Sequence, residues 1–474
     1  MTSNPISGLI PRGSLGLKLL LVCALVLAMG IPLMTVGALM EGREQRARQV
    51  TAEIGAQAGG QQVIGGPMLV VPYRRTIEVT TTEGQVSTSI ERGRYIVFAQ
   101  NGTADSQLAV SQRRLGIYRA DSFDATTNFH AEFDPAAALE GLDPSYTFDW
   151  AQAQLVMFVG DSRTIRDAAE LRFANGDTAT LEPTSDFDFG QAAIAAGQWD
   201  YSASPPAQAF RSLQAFAAPA PLGDAPEPFV VDTRIVLGGA QRFAVAAFAQ
   251  DTAVTIAGDA TATRAQGYFQ TNQGVELTGE GFNAQWRVPF VARNMPKAAN
   301  LTSFNLGDIA NHDMAVSFVA ADDIYQGVRR AIEYGIMFIG IVFLATLVFE
   351  AVSGKKAHAA QYILVGLAQC VFYLLLLSIT EIIGFTQAFT IAAAATVLLL
   401  SYYAGASFRS AAVGFKALLG LSGLYGAMYV LMTLEDFALL AGSVVAFAVI
   451  AATMIATRRI DWYGRAAPAG STTE

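Results

Sequence analysis

Three histidines, His130, His312 and His358, and two cysteines, Cys23 and Cys370, are the only side chains of their kinds in this 474-residue chain. Metal or nucleophile chemistry requires such groups to gather, and their positions argue against that. His358 falls on the far side of an expected membrane from the other two. "NHD" at 311–313 sets a base beside a carboxylate, which suits a ligand or general base, but the same triplet also makes an ordinary surface turn. Both cysteines lie inside apolar runs, so no disulfide staples the middle of the chain, and paired zinc-type spacings are absent. "SGKK" at 353–356 fits Ser-x-x-Lys, yet it stands at a helix end where lysines follow membrane topology. There is no zinc-protease helix motif, nucleophile elbow or phosphate-cradling glycine loop. The carboxylates are numerous, but nothing in their spacing nominates an acid/base pair. The expectation is a non-enzymatic protein with no cofactor and no metal.

One carboxylate stands apart. "LLLLSITEIIGF" at 374–385 carries Glu381 at the end of an apolar run. Either it meets water at a membrane interface, or it is held in a buried pair, because charges at membrane depth are costly and tend to be functional. Choosing requires the elements around it. Hydrophobic residues make up 52% of the chain and charged residues 15%, well below the quarter or so usual in soluble domains. "SLGLKLLLVCALVLAMGIPLMTVGALM" (14–40) is of spanning length, longer than the apolar core of a secretory signal. It is expected to be a retained anchor, kinked at Pro32. Five more spans are expected near 331–353, 359–380, 386–405, 411–432 and 436–457.

Basic residues orient these spans. Lys355, Lys356, Arg409, Lys416, Arg458, Arg459 and Arg465 mark one set of loops, whereas Glu381, Glu435 and Asp436 mark the alternate set. Both termini (1–13 and 458–474) are thereby expected in the cytoplasm and residues 41–328 outside. Arg329 and Arg330 oppose the trend at the outer face. Small residues four apart, Gly366 with Cys370, Gly423 with Ala427 and Gly442 with Ala446, suit close helix packing.

The outer region holds 20 Lys and Arg against 33 Asp and Glu. That acidity excludes nucleic acid as a partner. Residues 41–60 read as a charged helix extending the anchor, ended by Gly59 and Gly60. Beyond it come short β-type runs, among them "MLVVPY" (68–73), "RYIVFA" (94–99), "LVMFVG" (155–160), "RIVLGG" (234–239) and "NAQWRVPFVA" (283–292). They predict antiparallel, sandwich-like sheets rather than βαβ units. A helix at 203–217 and a proline-rich linker at 218–229 are the candidate boundary between two lobes. The fold class is therefore an α+β membrane protein: one N-terminal transmembrane helix, a large β-rich domain, and a C-terminal bundle of five transmembrane helices (331–457).

Several strings, "GGPMLVVPY", "RRLGIY", "GFNAQWRV", "SFVAADDIYQGVRRAIEYGIMFI", "QYILVGLAQCVFYLLLLSITEIIGF", "LYGAMYVLMTLEDFALLAGS" and "TRRIDWY", together resemble the CreD family of bacterial inner-membrane proteins. The resemblance runs from about 60 to 463. It implies a large periplasmic domain between an N-terminal helix and a C-terminal bundle, with a link to cell-envelope integrity, stress response and altered tolerance of colicins and β-lactams. It supplies no reaction. Positions that follow the family pattern are Asp323, Tyr325, Gln326, Arg330, Glu381, Glu435, Asp436, Asp461 and Trp462. Ala320 and Ala321 replace an expected Glu-Pro, Glu333 a Lys, and 259–271 lacks an expected Trp. The leading expectation is an envelope protein that meets a periplasmic or membrane partner, as well as the lipid bilayer, through its outer domain. A transporter or lipid-handling bundle with Glu381, Glu435 and Asp436 near its mouth, and a hydrolase using His130 or His312, are the alternatives. Oligomeric state is not legible.

Overall fold

The computed structural model describes residues 15–80, 86–116, 118–189, 191–192, 211–223, 227–260, 263–272, 274–278, 281–318, 322–353, 357–433 and 438–458. The two expected cytoplasmic tails (1–13 and, apart from Arg458, 458–474), the loop lysines Lys355 and Lys356, and residues 203–210 of the expected helix lie outside the described residues. Two compact units result: one joins residues up to 48 with those from 321 onward, and the other comprises 49–320.

The first unit is helical. Helix α1 (Leu15–Gln57) runs unbroken through Pro32. It is followed in this unit by α2 (Asp322–Glu333), α3 (Gly335–Ser353), α4 (Ala359–Ile383), α5 (Phe385–Ser407), α6 (Ala411–Thr433) and α7 (Ala438–Thr457). Four of them, α1, α4, α5 and α6, are long and apolar enough to cross a bilayer. Helices α2 and α3 make a fifth candidate as one pair bent by 47°, and α7 holds a shorter apolar stretch, Gly442–Ile455. The bend falls just after 331, the expected start of the second span. Asp322, Asp323, Arg329, Arg330 and Glu333 make α2 too polar for hydrocarbon, so the apolar helix begins only at Gly335. On its buried face α2 sets Tyr325, Val328 and Ala331 against the bundle.

Helix α1 is an integral member of this bundle. Val22 and Met29 share an apolar cluster with Ile339, Phe343 and Leu347 of α3 and with Tyr362 and Cys370 of α4. A side-chain carbon on Gly335 would meet Leu33 at 2.7 Å, and one on Gly366 would meet Met29 at 2.7 Å. Small residues thus let these helices close up, as the Gly366–Cys370 spacing predicts. Gly442 lies against the Tyr334 ring, whereas Gly423 has open space beside it.

The second unit is a sandwich of a ten-stranded and an eight-stranded sheet. Its longer strands are β1 (Gln62–Thr80), β2 (Val86–Val97), β3 (Ala99–Leu115), β4 (Tyr118–Phe133), β5 (Gln154–Val159), β6 (Gln214–Pro219), β7 (Phe229–Ala240), β8 (Arg242–Ala246), β9 (Ala249–Gly258), β10 (Gly281–Val288) and β11 (Asp313–Phe318). Most pairings are antiparallel, but β1 pairs with β8, and β3 with β9, in parallel. Residues 214–219 are strand β6 rather than helix, because Phe216 and its neighbours complete the first sheet beside β5. The proline-rich stretch after β6 separates no sheets. Strands from both sides of it interleave, with β6 in the first sheet and β7 in the second.

The two sheets differ in how they are covered. In the first sheet, Leu69, Val71, Leu155, Met157, Phe243 and Val245 face the second sheet. The intervening Met68, Val70, Val156, Phe158, Ala244 and Ala246 are buried on the opposite face under Phe187, Phe189, Met295, Leu306 and Ile309. Strands buried on both faces read as continuous apolar runs, which is why "MLVVPY" and "LVMFVG" stand out. The second sheet is buried on one face only. Along β3, Ala104 and Leu108 point inward while Thr103, Asp105 and Gln107 are exposed. Gly65 and Gly66 mark a register shift in β1. A side-chain carbon there would lie 2.1 Å from the Phe158 ring or 2.6 Å from that of Phe248, so the aromatic core requires bare backbone at both positions.

Candidate functional site: charged clusters at the two ends of the helical bundle

Of the residues singled out with Glu381, Tyr325 and Arg330 lie with it at one end of the helical unit. Glu381, in the last turn of α4, has a side chain only 9% exposed. It accepts a hydrogen bond from the Tyr325 hydroxyl at 3.1 Å and one from Arg43 Nη1 at 3.1 Å. Tyr325 is itself buried, so α2 and α4 meet through this contact. Arg330 donates to the Met432 carbonyl at 3.2 Å, which places its charge at the C-terminal end of α6, where the helix dipole favours a cation. Arg329 takes a different partner: its Nη2 donates to Glu44 Oε2 at 2.6 Å, and Arg48 pairs with the same carboxylate. Glu44 is buried to the same degree as Glu381.

Among the described residues the cation that pairs with Glu381 is therefore neither Arg329 nor Arg330. Arg43, on α1, takes that role, and it was read only as part of a charged extension. Gln326 is exposed, and Asp323 belongs to the first turn of α2. Glu435, Asp436, Asp461 and Trp462 lie outside the described residues.

The opposite end carries a second cluster that the sequence reading missed. Glu350 is the only charged residue of α3 and its side chain is 7% exposed. It pairs with Lys18 at the start of α1 and accepts from the Tyr362 hydroxyl at 3.3 Å. A lone carboxylate inside an otherwise apolar span is itself a legible signal. Tyr362 and Glu381 are 19 residues apart on α4, which at 1.5 Å per residue is about 28 Å, close to the hydrocarbon thickness of a bilayer. Each cluster joins α1 to helices more than 280 residues later in the chain. Chemically, carboxylates filled by guanidinium, ammonium and phenol donors act as clamps between helices.

The histidines go separate ways. His130 lies on the open face of the second sheet, its Nδ1 2.7 Å from Asp232 Oδ1 and its Nε2 3.6 Å from Glu132 Oε1. The hydrogen bond to Asp232 holds its pKa above the usual histidine value. His312 donates from Nδ1 to the Asp308 carbonyl at 2.7 Å and packs against the Tyr268 ring. Its neighbour Asp313 is engaged elsewhere, accepting from Arg242 Nη2 at 2.5 Å, so "NHD" does not act as one base–carboxylate unit. His358 caps α4, accepting from the Ala360 amide at 3.2 Å. Among the described residues no group of three or more His, Cys, Asp or Glu is arranged to hold a metal ion.

The architecture agrees with comparison to known proteins. The inner membrane protein CreD of Escherichia coli (strain K12) is 27% identical over 447 residues, covering 94% of this chain and 92% of that protein. The family model described as "Inner membrane protein CreD" matches residues 14–463, which takes in α1, both sheets and every helix of the bundle. Helices packed for a bilayer, a β-rich insertion between the first and second of them, and a match over that entire span place this chain in the CreD family of multi-pass inner membrane proteins.

Proposed function

We propose that the protein supports cell-envelope integrity without catalysing a reaction, by presenting its β-rich unit in the periplasm to an envelope component while the helical bundle seats it in the inner membrane. Both termini are cytoplasmic in this reading, as the basic loops favour. The observation that carries it is the pair of clamps. Lys18–Glu350 at one end and Arg43–Glu381 with Glu44–Arg329 at the other make α1 part of the same body as the C-terminal helices. An insertion of 49–320 that leaves and re-enters one membrane body suits a tethered interaction module better than a domain released by cleavage of a signal. The polar face of the second sheet, with Thr103, Asp105 and Gln107 exposed, supplies a surface for such contacts.

The test uses the full chain in cells. A photo-crosslinking residue placed at Gln107 is expected to capture a discrete envelope partner, and a reporter fused near residue 200 to be active only outside the cytoplasm. A cytoplasmic reporter signal, or no crosslinked species from any position on that face, removes the proposal. A second reading, transport or lipid handling by the bundle, is favoured by Glu350 alone, a carboxylate set inside an apolar span. In that case Glu350→Gln abolishes flux through the reconstituted protein, whereas under the first reading it only loosens α1.

A further inference from the structure

Arg293 closes a four-residue helical turn, Phe290–Arg293, between β10 and the short strand Ala298–Asn300. It is fully buried, at 0% exposure. Its guanidinium carbon lies 3.8 Å from the centre of the Phe98 ring, and Nε donates to the Ala247 carbonyl at 3.2 Å. Phe98 belongs to the apolar cluster that also holds Met295 and Leu306. Neither terminal nitrogen reaches a protein acceptor, and among the described residues no carboxylate pairs with this side chain. Burial draws its pKa down to about 9, so it still carries its charge at neutral pH.

An interior cation without a counter-charge bears a desolvation cost that its own contacts do not offset. The two terminal nitrogens form a planar fork with four N–H donors, matched to the paired oxygens of a carboxylate or phosphate. Arg293 belongs to the segment 289–297, which Met295 also ties into that cluster. Val291 is 87% exposed and Asn294 adopts a left-handed conformation at φ 54°. Two hydrogen bonds secure its ends, Phe290 N to Asp251 Oδ1 at 3.0 Å and Phe98 N to the Lys297 carbonyl at 3.1 Å.

We propose that Arg293 is the anchoring residue of an oxyanion-binding site in the β-rich unit, taking a carboxylate or phosphate group on the two terminal nitrogens that reach no protein acceptor. The aromatic face of Phe98 holds the guanidinium flat, and the apolar surroundings strengthen its attraction for the anion. The inference is independent of the envelope function proposed above.

The test is hydrogen exchange on the full chain in nanodiscs of zwitterionic lipid, which supply no anionic headgroup. Peptides covering 289–300 and 242–249 are followed in inorganic phosphate or acetate against chloride at matched ionic strength. Exchange is expected to slow about tenfold once the free anion reaches about ten times its dissociation constant. A response to phosphate but not acetate assigns a phosphate ligand, and the reverse a carboxylate. Repeating the chloride sample with anionic lipid in the disc distinguishes a headgroup from a free ion, since slowing then appears without added phosphate. Arg293→Met should lose the response while exchanging no faster than wild type in chloride. If that variant fails to fold, Arg293→Lys, which keeps the charge without the fork, should need at least about tenfold more anion. No slowing in wild type with any of these anions means that buried water alone solvates the guanidinium, and the site is disproved. Equal slowing in Arg293→Met disproves it as well.

Discussion

The helical unit and the β-rich unit treat buried charge in different ways. In the bundle, each of the buried carboxylates Glu44, Glu350 and Glu381 meets a cation from another helix. Within the sandwich both arrangements occur: Arg242 is paired with Asp313, both side chains 9% exposed, whereas Arg293 has no counter-charge among the described residues. Paired charge fixes one element against another, and its removal loosens a known contact. Unpaired charge has only weaker contacts to hold it, for Arg293 the Phe98 ring and the Ala247 carbonyl.

The largest effect should come where both partners of a pair are buried. Asp313→Ala leaves Arg242 buried alone, while the Tyr268 amide keeps the backbone carbonyl of residue 313 as its acceptor. It is expected to destabilise the sandwich by about 3–5 kcal/mol, read as faster hydrogen exchange in β8 and β11. If the effect is below about 1 kcal/mol, paired and unpaired arginines in this unit are not distinct. Next, Glu350→Ala should loosen α1 by about 2–3 kcal/mol, less than a fully buried pair because Lys18 is 39% exposed. Its readout is disulfide formation between a Met29→Cys substitution and the native Cys370, whose sulfur lies 3.8 Å from the Met29 carbonyl. Crosslinking should slow in Glu350→Ala and recover in Lys18→Met with Glu350→Leu. Glu381→Ala comes third, at about 1–2 kcal/mol, since Arg43 is half exposed. Exchanging charges in Arg43→Glu with Glu381→Arg should restore part of that loss, and no restoration would mean that the Tyr325 contact carries the site.

The smallest effect is the pH dependence of the open face. The folded pKa of His130 is raised by its bond to Asp232, so the stability it contributes is fully present below about 6.5 and fades as pH rises through the higher folded value. Glu132 is held below its ordinary value, chiefly by Asn101, so its share fades only as pH falls through that lowered value. The combined change should stay below about 1 kcal/mol because His130 is 42% exposed. Asp232→Asn should flatten the rise side of the profile in exchange measurements on β4 and β7.

What the sequence disclosed follows from the range of the forces involved. Apolar runs are local, so the spans and the doubly buried strands β1 and β5 were readable. The long hairpin β3–β4 was not, because "NGTADSQLAV" alternates on a sheet with one wet face and looks like a loop when only apolar runs are sought. Residues 203–217 read as helix from small and polar composition, but pairing with β5 made 214–219 a strand. Tyr325 and Glu381 were picked out by their resemblance to family positions and do meet. Their partner Arg43 lies 338 residues from Glu381 in the chain, and no local pattern reports such a contact. Glu350 was visible in principle, as the one charge in its span. Arg293 was not, since nothing in "VARNMP" tells an interior arginine from a surface one.

The clamp between Lys18 and Glu350 also constrains how the protein is made. The two residues are 332 positions apart, so at about 5–20 residues per second α1 waits roughly 15–70 s after synthesis before its partner emerges. During that interval it must persist in the lipid unaided. Its spanning window is the most apolar of the four single-helix candidates, as a helix that has to wait for its companions requires.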